Sequence, residues 1–271
     1  MSLRTDVRSG GRGNTHKRSL PARGATLREH VDATVNAVTL GAEHRDAARS
    51  RDRGPFVSRG GLKLANALSA SGLAVAGRRA LDVGASTGGF TDCLLQAGAK
   101  EVVAIDVGYG QLDWSLRNDA RVHVMERVNA RAITPEMVPF AAELAVIDVS
   151  FISLVKVLPA VLSCMAPQRD VLALVKPQFE IGRGGVGKGG VVRSAEDRRR
   201  VLGDVAESML GLGESVVGFY PAGVPGPKGN RETFLWLAEA QRARATRDSR
   251  TVRSLANSAE PLADDARESG E

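Results

Sequence analysis

The middle of the chain alternates short apolar runs with stretches of helical periodicity. Five runs rich in valine, isoleucine, leucine and alanine have the length and continuous apolar character of buried parallel strands. They are RALDVG (79–84), EVVAIDV (101–107), VHVMER (122–127), LAVIDVSF (144–151) and DVLALVKP (170–177). Because helical patterns such as GGFTDCLLQAG and LVKVLPAVLSCM separate the strands, the pattern predicts a doubly wound α/β sheet with right-handed crossovers.

The end of this region departs from strict alternation. The segment SAEDRRRVLGDVAESMLGLG predicts a long amphipathic helix capped by Ser194. The next two runs, ESVVGFYP and ETFLWLAEA, are joined by the loop AGVPGPKGNR rather than by a helix, so the last strand is predicted to be antiparallel. Seven strands with this ending are typical of the Rossmann-like class I fold of S-adenosylmethionine-dependent methyltransferases.

Composition divides the 271 residues into three predicted parts: a basic, largely disordered arm (1–53), a catalytic domain (54–239) and a charged, disordered tail (240–271). The net charge of +6 arises in the N-terminal part, because residues 1–59 hold 12 Lys and Arg against 6 Asp and Glu. The other 212 residues hold 25 of each kind. A basic, glycine-rich arm suits contact with RNA, and a solubilising tail explains the same composition equally well.

Several classes of protein are disfavoured by the sequence. No apolar run approaches the length of a membrane span, and the basic N-terminus lacks the apolar stretch of a secretory signal. Cys93 and Cys164 have no CxxC spacing, and the four histidines show no ligand spacing, so neither a metal site nor a disulfide framework is expected. The sequence therefore predicts a cytoplasmic protein without a membrane partner.

A candidate cofactor site begins with LDVGASTGGFTDCLL, which has the order strand, glycine turn, helix. Gly84 ends the strand, and Gly88 with Gly89 opens the helix, where glycine allows either close approach to a ligand or close packing of the chain. Asp82 is expected to anchor this loop or to reach a cationic amino-acid head group. The GxxxGG pattern is looser than the GxGxxG of dinucleotide sites.

Polar residues also follow the next two predicted strands. Asp106 is placed to accept hydrogen bonds from both hydroxyls of a cofactor ribose, and Asn129 either reaches an adenine edge or caps its own loop. Trp114 is expected to fill the core. Asp106 suits NAD or S-adenosylmethionine, and the arrangement of the sheet favours S-adenosylmethionine. The cofactor-binding candidates are Asp82, Gly84, Ser86, Thr87, Gly88, Gly89, Phe90, Asp106 and Asn129.

Ionisable residues mark a second, chemical site. Asp148 and Lys176 end neighbouring predicted strands inside apolar runs, and Glu232 lies in the loop before the last strand. Each alone would be an ordinary capping or surface residue, but ligands of an open α/β sheet bind at the carboxyl ends of the strands. A lysine can remove the proton of a ribose hydroxyl if burial or a second nearby cation lowers the pKa of the lysine.

Eight sequence blocks, in order within residues 55–239, resemble the TlyA family of ribosomal RNA 2′-O-methyltransferases, an FtsJ-like group whose members are often labelled haemolysins. The blocks are VSRGGLKL, LDVGASTGGFTDCLL, DVGYGQLDWSLRND, ERVNAR, DVSFISL, LVKPQFE, GKGGVV and PGPKGN. The resemblance implies a catalytic tetrad of Lys63, Asp148, Lys176 and Glu232, with Lys176 as the base. It also implies that Gly84 to Phe90 and Asp106 hold S-adenosylmethionine. The small RNA-binding domain that usually begins such proteins is either lost or replaced by the arginine-rich arm at residues 1–53.

Three functions follow as hypotheses. The first is 2′-O-methylation of RNA, most of all ribosomal RNA. The second is O-methylation of a small nucleoside- or sugar-containing metabolite on the same scaffold. The third, a non-catalytic haemolysin-like binding protein, is disfavoured because all four tetrad residues are retained. In the first two cases Lys63 is expected to lie within reach of Asp148, rather than on the solvated side of the helix that begins near SRGGLKL.

Overall fold

The computed structural model describes residues 54–182, 185–187 and 189–260. The predicted arm at 1–53 and the residues after 260 lie outside this range. The described residues form one seven-stranded sheet with the order β3-β2-β1-β4-β5-β7-β6. Its strands are β1 Arg79–Val83, β2 Glu101–Ile105, β3 Val122–Met125, β4 Ala142–Ile147, β5 Met165–Val175, β6 Ser215–Pro221 and β7 Thr233–Ala238.

The direction of the last strand confirms the predicted fold class. Strands β1 to β5 pair in parallel, whereas β7 is inserted between β5 and β6 and pairs antiparallel to both. The loop between β6 and β7 makes this possible, because a parallel partner would have needed a crossover helix. The carboxyl ends of the parallel strands therefore meet at one edge of the sheet.

Helices cover both faces of the sheet. They are α1 Arg59–Ser71, α2 Gly89–Gln96, α3 Trp114–Arg117, α4 Leu158–Ser163, α5 Pro177–Glu180, α6 Ala195–Gly211 and α7 Ser249–Ala259, with 3-10 turns at Ala130–Ala132, Pro135–Met137 and Leu154–Lys156. The predicted cap of α6 is present, because the Ser194 side chain accepts a hydrogen bond from the Asp197 amide. The predicted helical segment LVKVLPAVLSCM is divided into the turn at Leu154–Lys156 and helix α4, which has Pro159 in its first turn.

Alternate residues of each central strand enter two separate apolar cores. In β1, for example, Leu81 and Val83 belong to the core beneath α4 and α6, and Ala80 belongs to the core beneath α1 and α2. All three side chains are fully buried. A sheet packed on both faces gives the strand ends fixed positions, which is what a site built on those ends requires.

The prediction that the chain is disordered from residue 240 onward is wrong for Ser249–Ala259, which form helix α7. Asp248 caps the start of helix α7, because its carboxylate accepts a hydrogen bond from the Thr251 amide, and the helix buries Val252 and Ala256 in the core. The composition of this segment does not predict a helix, because its apolar residues are few and form one narrow stripe within a strongly polar segment.

Two further findings concern the described residues. None of their helices is both long enough and apolar enough to cross a membrane. No group of three or more His, Cys, Asp or Glu side chains within residues 54–260, apart from the gaps given above, is arranged to hold a metal ion.

Candidate active site

The four candidate catalytic side chains form two ion pairs at the carboxyl end of the sheet. Lys176, directly after β5, lies with its Nζ 2.5 Å from Oδ1 of Asp148, which follows β4. Lys63 of α1 lies with its Nζ 2.5 Å from Oε2 of Glu232, one residue before β7. Each lysine is thus paired with a different carboxylate. All four residues line one cavity of about 500 Å³.

Three of these four charged side chains are buried, and Asp148 is half-buried. Lys63 is 8% exposed, Lys176 9% and Glu232 4%. Removing such charges from water is costly unless each has a partner of opposite sign, which the pairing supplies. Lys63 therefore does not point into open solvent. Together with Asp148 it lines this cavity and also a smaller one described below.

Two glycines allow α1 to come close enough for Lys63 to enter the site. A Cβ atom on Gly61 would lie 2.3 Å from the Phe56 ring, and one on Gly89 would lie 2.2 Å from Ser58 Oγ and 2.8 Å from the Gly61 amide. At the other side of α1, Asn66 Nδ2 donates a hydrogen bond to the Ala222 carbonyl at 2.9 Å. The helix is thus fixed between α2 and the loop that carries Glu232.

The position of Lys176 follows from the join between β5 and α5. Pro177 occupies the start of α5, where a missing N–H is tolerated, so the chain turns directly after Lys176. The lysine Nζ donates a hydrogen bond to Ser150 Oγ at 3.0 Å and lies 6.0 Å from the centre of the Phe179 ring. Its contact with Asp148 is close but lies outside hydrogen-bond angles, so that contact is an ion pair.

A second cavity of about 520 Å³ contains Asp106 and Asn129. Asp106 is held by two backbone amides, because Oδ2 accepts from Ser86 at 2.8 Å and Oδ1 from Gly108 at 2.6 Å. Each oxygen retains a free lone pair that can accept one more hydrogen bond. The Asn129 side chain caps its own loop by accepting from the Arg131 amide at 3.0 Å, as the alternative interpretation of this residue expected.

A smaller cavity of about 220 Å³ connects these regions. Its walls include five of the predicted cofactor residues, Gly84, Ser86, Thr87, Gly89 and Phe90. Gly84 lies in the walls of both this cavity and the one that contains Asp106, and Asp148 lines all three cavities. Asp148 is therefore the residue that the walls of all three cavities share.

Gly84 shows why this junction needs a glycine. Its φ is +90°, and a Cβ atom there would lie 2.4 Å from the Asp148 carbonyl oxygen. The Asp148 amide also donates to the Val83 carbonyl at 2.9 Å, so the ends of β1 and β4 are in direct contact. A side chain at Gly84 would force apart the two strand ends that carry the cofactor turn and Asp148.

Two of the predicted cofactor residues lie outside these cavity walls. Asp82 is fully buried, and its Oδ2 accepts a hydrogen bond from Thr91 Oγ1 at 2.6 Å, which favours the loop-anchoring interpretation. Burial raises the pKa of Asp82 to about 7, and the negative charges of Asp148 and Asp106 act in the same direction. A Cβ atom on Gly88 would lie 2.3 Å from the Leu116 side chain, so this glycine is required by packing.

Sequence reasoning missed several residues of the site. Ser150 contacts Lys176, and the buried amide of Asn230 bonds to the Gly190 carbonyl at 2.8 Å and the Val192 amide at 2.9 Å. Asn230 thereby joins the loop before β7 to the segment after residue 189. Trp114 was expected in the core but is 77% exposed. The contacts of Ser150 and Asn230 join positions far apart in the chain, and neither stands out in composition or periodicity.

The comparisons with known proteins agree with this geometry. The sequence profile of the FtsJ-like methyltransferases matches residues 56–239. The chain belongs to the FtsJ-like methyltransferase family. The expectations of an α/β methyltransferase fold and of an enzyme are therefore confirmed for the region that contains the two ion pairs.

Relatives of this FtsJ-like protein include named ribosomal RNA methyltransferases. The chain is 57% identical over 182 residues to the 16S/23S rRNA (cytidine-2′-O)-methyltransferase TlyA of Mycobacterium tuberculosis, covering 67% of this chain and 68% of the relative. It is 43% identical over 180 residues to Hemolysin A of Brachyspira hyodysenteriae, covering 65% and 74%. A solved structure from Streptococcus thermophilus, described as a candidate hemolysin, matches with a TM-score of 0.72 and 39% identity over 81% of this chain and 79% of that one.

Proposed function

We propose that the protein transfers a methyl group from S-adenosylmethionine to a ribose 2′-hydroxyl of ribosomal RNA. The observation that carries this proposal is the meeting of three cavities at Asp148, beside a buried lysine. One side of Asp148 offers space for an elongated cofactor, and the other offers a cavity of about 500 Å³ for the nucleotide that is modified.

The residues of the two cofactor cavities fit S-adenosylmethionine. Asp106 has acceptor capacity left for two ribose hydroxyls, and the walls around it include Val107 and Val128, which suit a flat adenine ring. The small cavity beside Thr87 and Phe90 suits the amino-acid end. A dinucleotide fits less well, because the glycines that open α2 are packed against Ser58 and Leu116 instead of leaving room for a pyrophosphate.

The ion pairs supply the acid–base chemistry. Lys176 is the proposed base: with its proton lost to solvent, its Nζ accepts the proton of the ribose hydroxyl as that oxygen attacks. Asp148 holds Lys176 in place and stabilises the ammonium that forms. Lys63, fixed by Glu232, adds a positive charge beside the developing oxyanion. When bound, S-adenosylmethionine supplies a methyl group on a cationic sulfur, which keeps the bonding electron pair as the methyl leaves.

The rim of the site favours RNA over a small metabolite. Two large apolar side chains in the cavity walls are open to solvent, with Val107 73% exposed and Phe151 91%. Sites for small ligands usually enclose such groups, whereas exposed aromatic rings give nucleic-acid bases a surface to stack on. The named activity of the M. tuberculosis relative points in the same direction. An RNA substrate also implies a cytoplasmic location.

Methyl transfer from radiolabelled S-adenosylmethionine to purified ribosomal subunits tests the proposal. The wild-type protein is expected to label RNA, and Lys176→Ala is expected to lower the rate at least about a hundredfold, because general base catalysis is lost. The matched control is Lys156→Ala, since Lys156 is an exposed lysine outside the three cavities. Retained cofactor binding with no labelling of any RNA by the wild-type protein would contradict the proposal.

A further inference from the structure

A serine hydroxyl restrains the orientation of the Lys176 amine. The Nζ atom of Lys176 has two close polar contacts in the described part of the chain: Ser150 Oγ at 3.0 Å and Asp148 Oδ1 at 2.5 Å. The contact with Asp148 supplies charge but lies outside hydrogen-bond angles, as described above. The hydrogen bond to Ser150 is therefore the directional restraint on the amine.

Direction matters because a neutral lysine has one lone pair. Its nitrogen is tetrahedral, with one bond to Cε, two N–H bonds and the lone pair. If one N–H is given to Ser150 and the other faces Asp148, the lone pair must occupy the one position that remains. Ser150, Asp148 and Lys176 line the same cavity, so a hydroxyl bound there would lie beside the amine.

The backbone around Ser150 is itself held in place. Phe151 has a φ of +64°, which is unusual for a bulky residue, and turns the chain directly after Ser150. Its ring lies 5.1 Å from the ring of Phe179, in the helix that begins directly after Lys176. The segments carrying the serine and the lysine are thus joined by a ring contact as well as by the hydrogen bond.

We infer that Ser150 is a positioning residue for methyl transfer, which fixes the lone pair of Lys176 toward the substrate hydroxyl. The inference rests on the proposed function, in which Lys176 is the base. Ser150 acts through Lys176 and forms no bond with the methyl group. The substitution Ser150→Ala should therefore lower kcat and leave KM for RNA and the affinity for S-adenosylmethionine unchanged.

A double-mutant cycle with Lys176→Ala tests the inference, with methyl transfer measured in single-turnover reactions. In the wild-type background, Ser150→Ala is expected to cost about 10- to 100-fold in rate, the value of a hydrogen bond to a charged group. In the Lys176→Ala background the same substitution is expected to cost less than about twofold, because the group that it orients is gone. Ser150→Thr, which keeps the hydroxyl, should restore most of the rate.

A control variant separates orientation from general damage to the loop. Ser153 lies three residues further on and caps the turn at Leu154–Lys156 by accepting from the Val155 amide, away from Lys176. Ser153→Ala should leave the rate within about twofold of wild type. An equal loss from Ser150→Ala in both backgrounds, a rise in KM without a fall in kcat, or no rescue by threonine would overturn the inference. A wild-type protein that labels no RNA would instead overturn the proposed function.

Discussion

At the scale of single residues, the buried charges of the site differ in how they are compensated. Lys63 and Lys176 each face a carboxylate, whereas Asp82 is fully buried and accepts a hydrogen bond from the neutral hydroxyl of Thr91. No positively charged side chain among the described residues forms an ion pair with Asp82, and its pKa is raised to about 7, first by burial. Folding thus favours the neutral form of Asp82 relative to the unfolded chain.

Replacement of Asp82 tests whether its pKa is raised in the folded protein, through the pH dependence of the free energy of unfolding. The folded pKa of about 7 exceeds the unfolded value of 3.8. The contribution of Asp82 to the free energy of unfolding is therefore fully present below pH 4 and is lost as the pH rises through 7. Asp82→Asn keeps an acceptor for Thr91 and cannot ionise. The unfolding free energy of the wild type relative to the variant should therefore fall by up to about 3 kcal/mol between pH 5 and pH 8.

Urea unfolding of both proteins across this pH range measures the effect. Taking the difference between the two proteins removes the contributions of the groups that they share. A difference that stays constant from pH 5 to pH 8 would show that Asp82 is ionised throughout, and would contradict the environment described for it.

At the scale of elements, α7 depends on a buried ion pair. Arg198 of α6 donates from Nε to Glu260 Oε2 at 3.0 Å, and each residue is 5% exposed. The same arginine donates to the Val192 and Arg193 carbonyls, next to the segment that Asn230 joins to the site. The end of the described chain is thus connected to the wall of the nucleotide cavity through one guanidinium group.

Glu260→Ala should lower the free energy of unfolding by about 3 kcal/mol, because it leaves the Arg198 charge buried without its carboxylate. A matched control is Arg200→Ala on the same helix, where the ion pair with Asp197 is half-exposed and should contribute less than about 1 kcal/mol. Chemical denaturation of the two variants gives the comparison. Equal small losses in both would contradict a stabilising role for the buried pair.

The elements were more predictable than the contacts of the site. Buried parallel strands such as β4 and β5 are continuous apolar runs, so their existence and the residues that end them, Asp148 and Lys176, are visible in the sequence. The pairing of Lys63 with Glu232 joins positions 169 residues apart and depends on how closely α1 packs, which no local pattern records. Helix α7 was not predicted, because tertiary packing contributes more to its stability than the helix propensity of its residues does.

At the scale of the whole molecule, positive charge is uneven along the chain. The net charge of +6 arises within residues 1–59, and the rest of the chain is balanced. Residues 1–53 lie outside the described structure, so their role remains the prediction made from composition. Among the described residues, Lys228 places an exposed positive charge in the wall of the cavity of about 500 Å³.

Deletion of residues 1–28 tests whether the arm contributes to RNA binding. This segment holds seven basic residues and one acidic residue, so its loss should weaken RNA binding and make it less sensitive to salt, through reduced counterion release. Binding of S-adenosylmethionine should not change. RNA affinity measured between 50 and 200 mM salt, about the range over which such contacts are lost, gives the slope. An unchanged slope would indicate a solubilising tail.

The central claim is that the protein methylates a ribose 2′-hydroxyl of ribosomal RNA with Lys176 as the base. Mass-spectrometric mapping of ribose methylation tests this claim most directly. Ribosomal RNA from cells with the intact gene, without it, and with Lys176→Ala would be compared. The account predicts at least one 2′-O-methylated nucleotide that is present with the wild-type protein and absent from both other samples. Identical methylation in all three samples would contradict it.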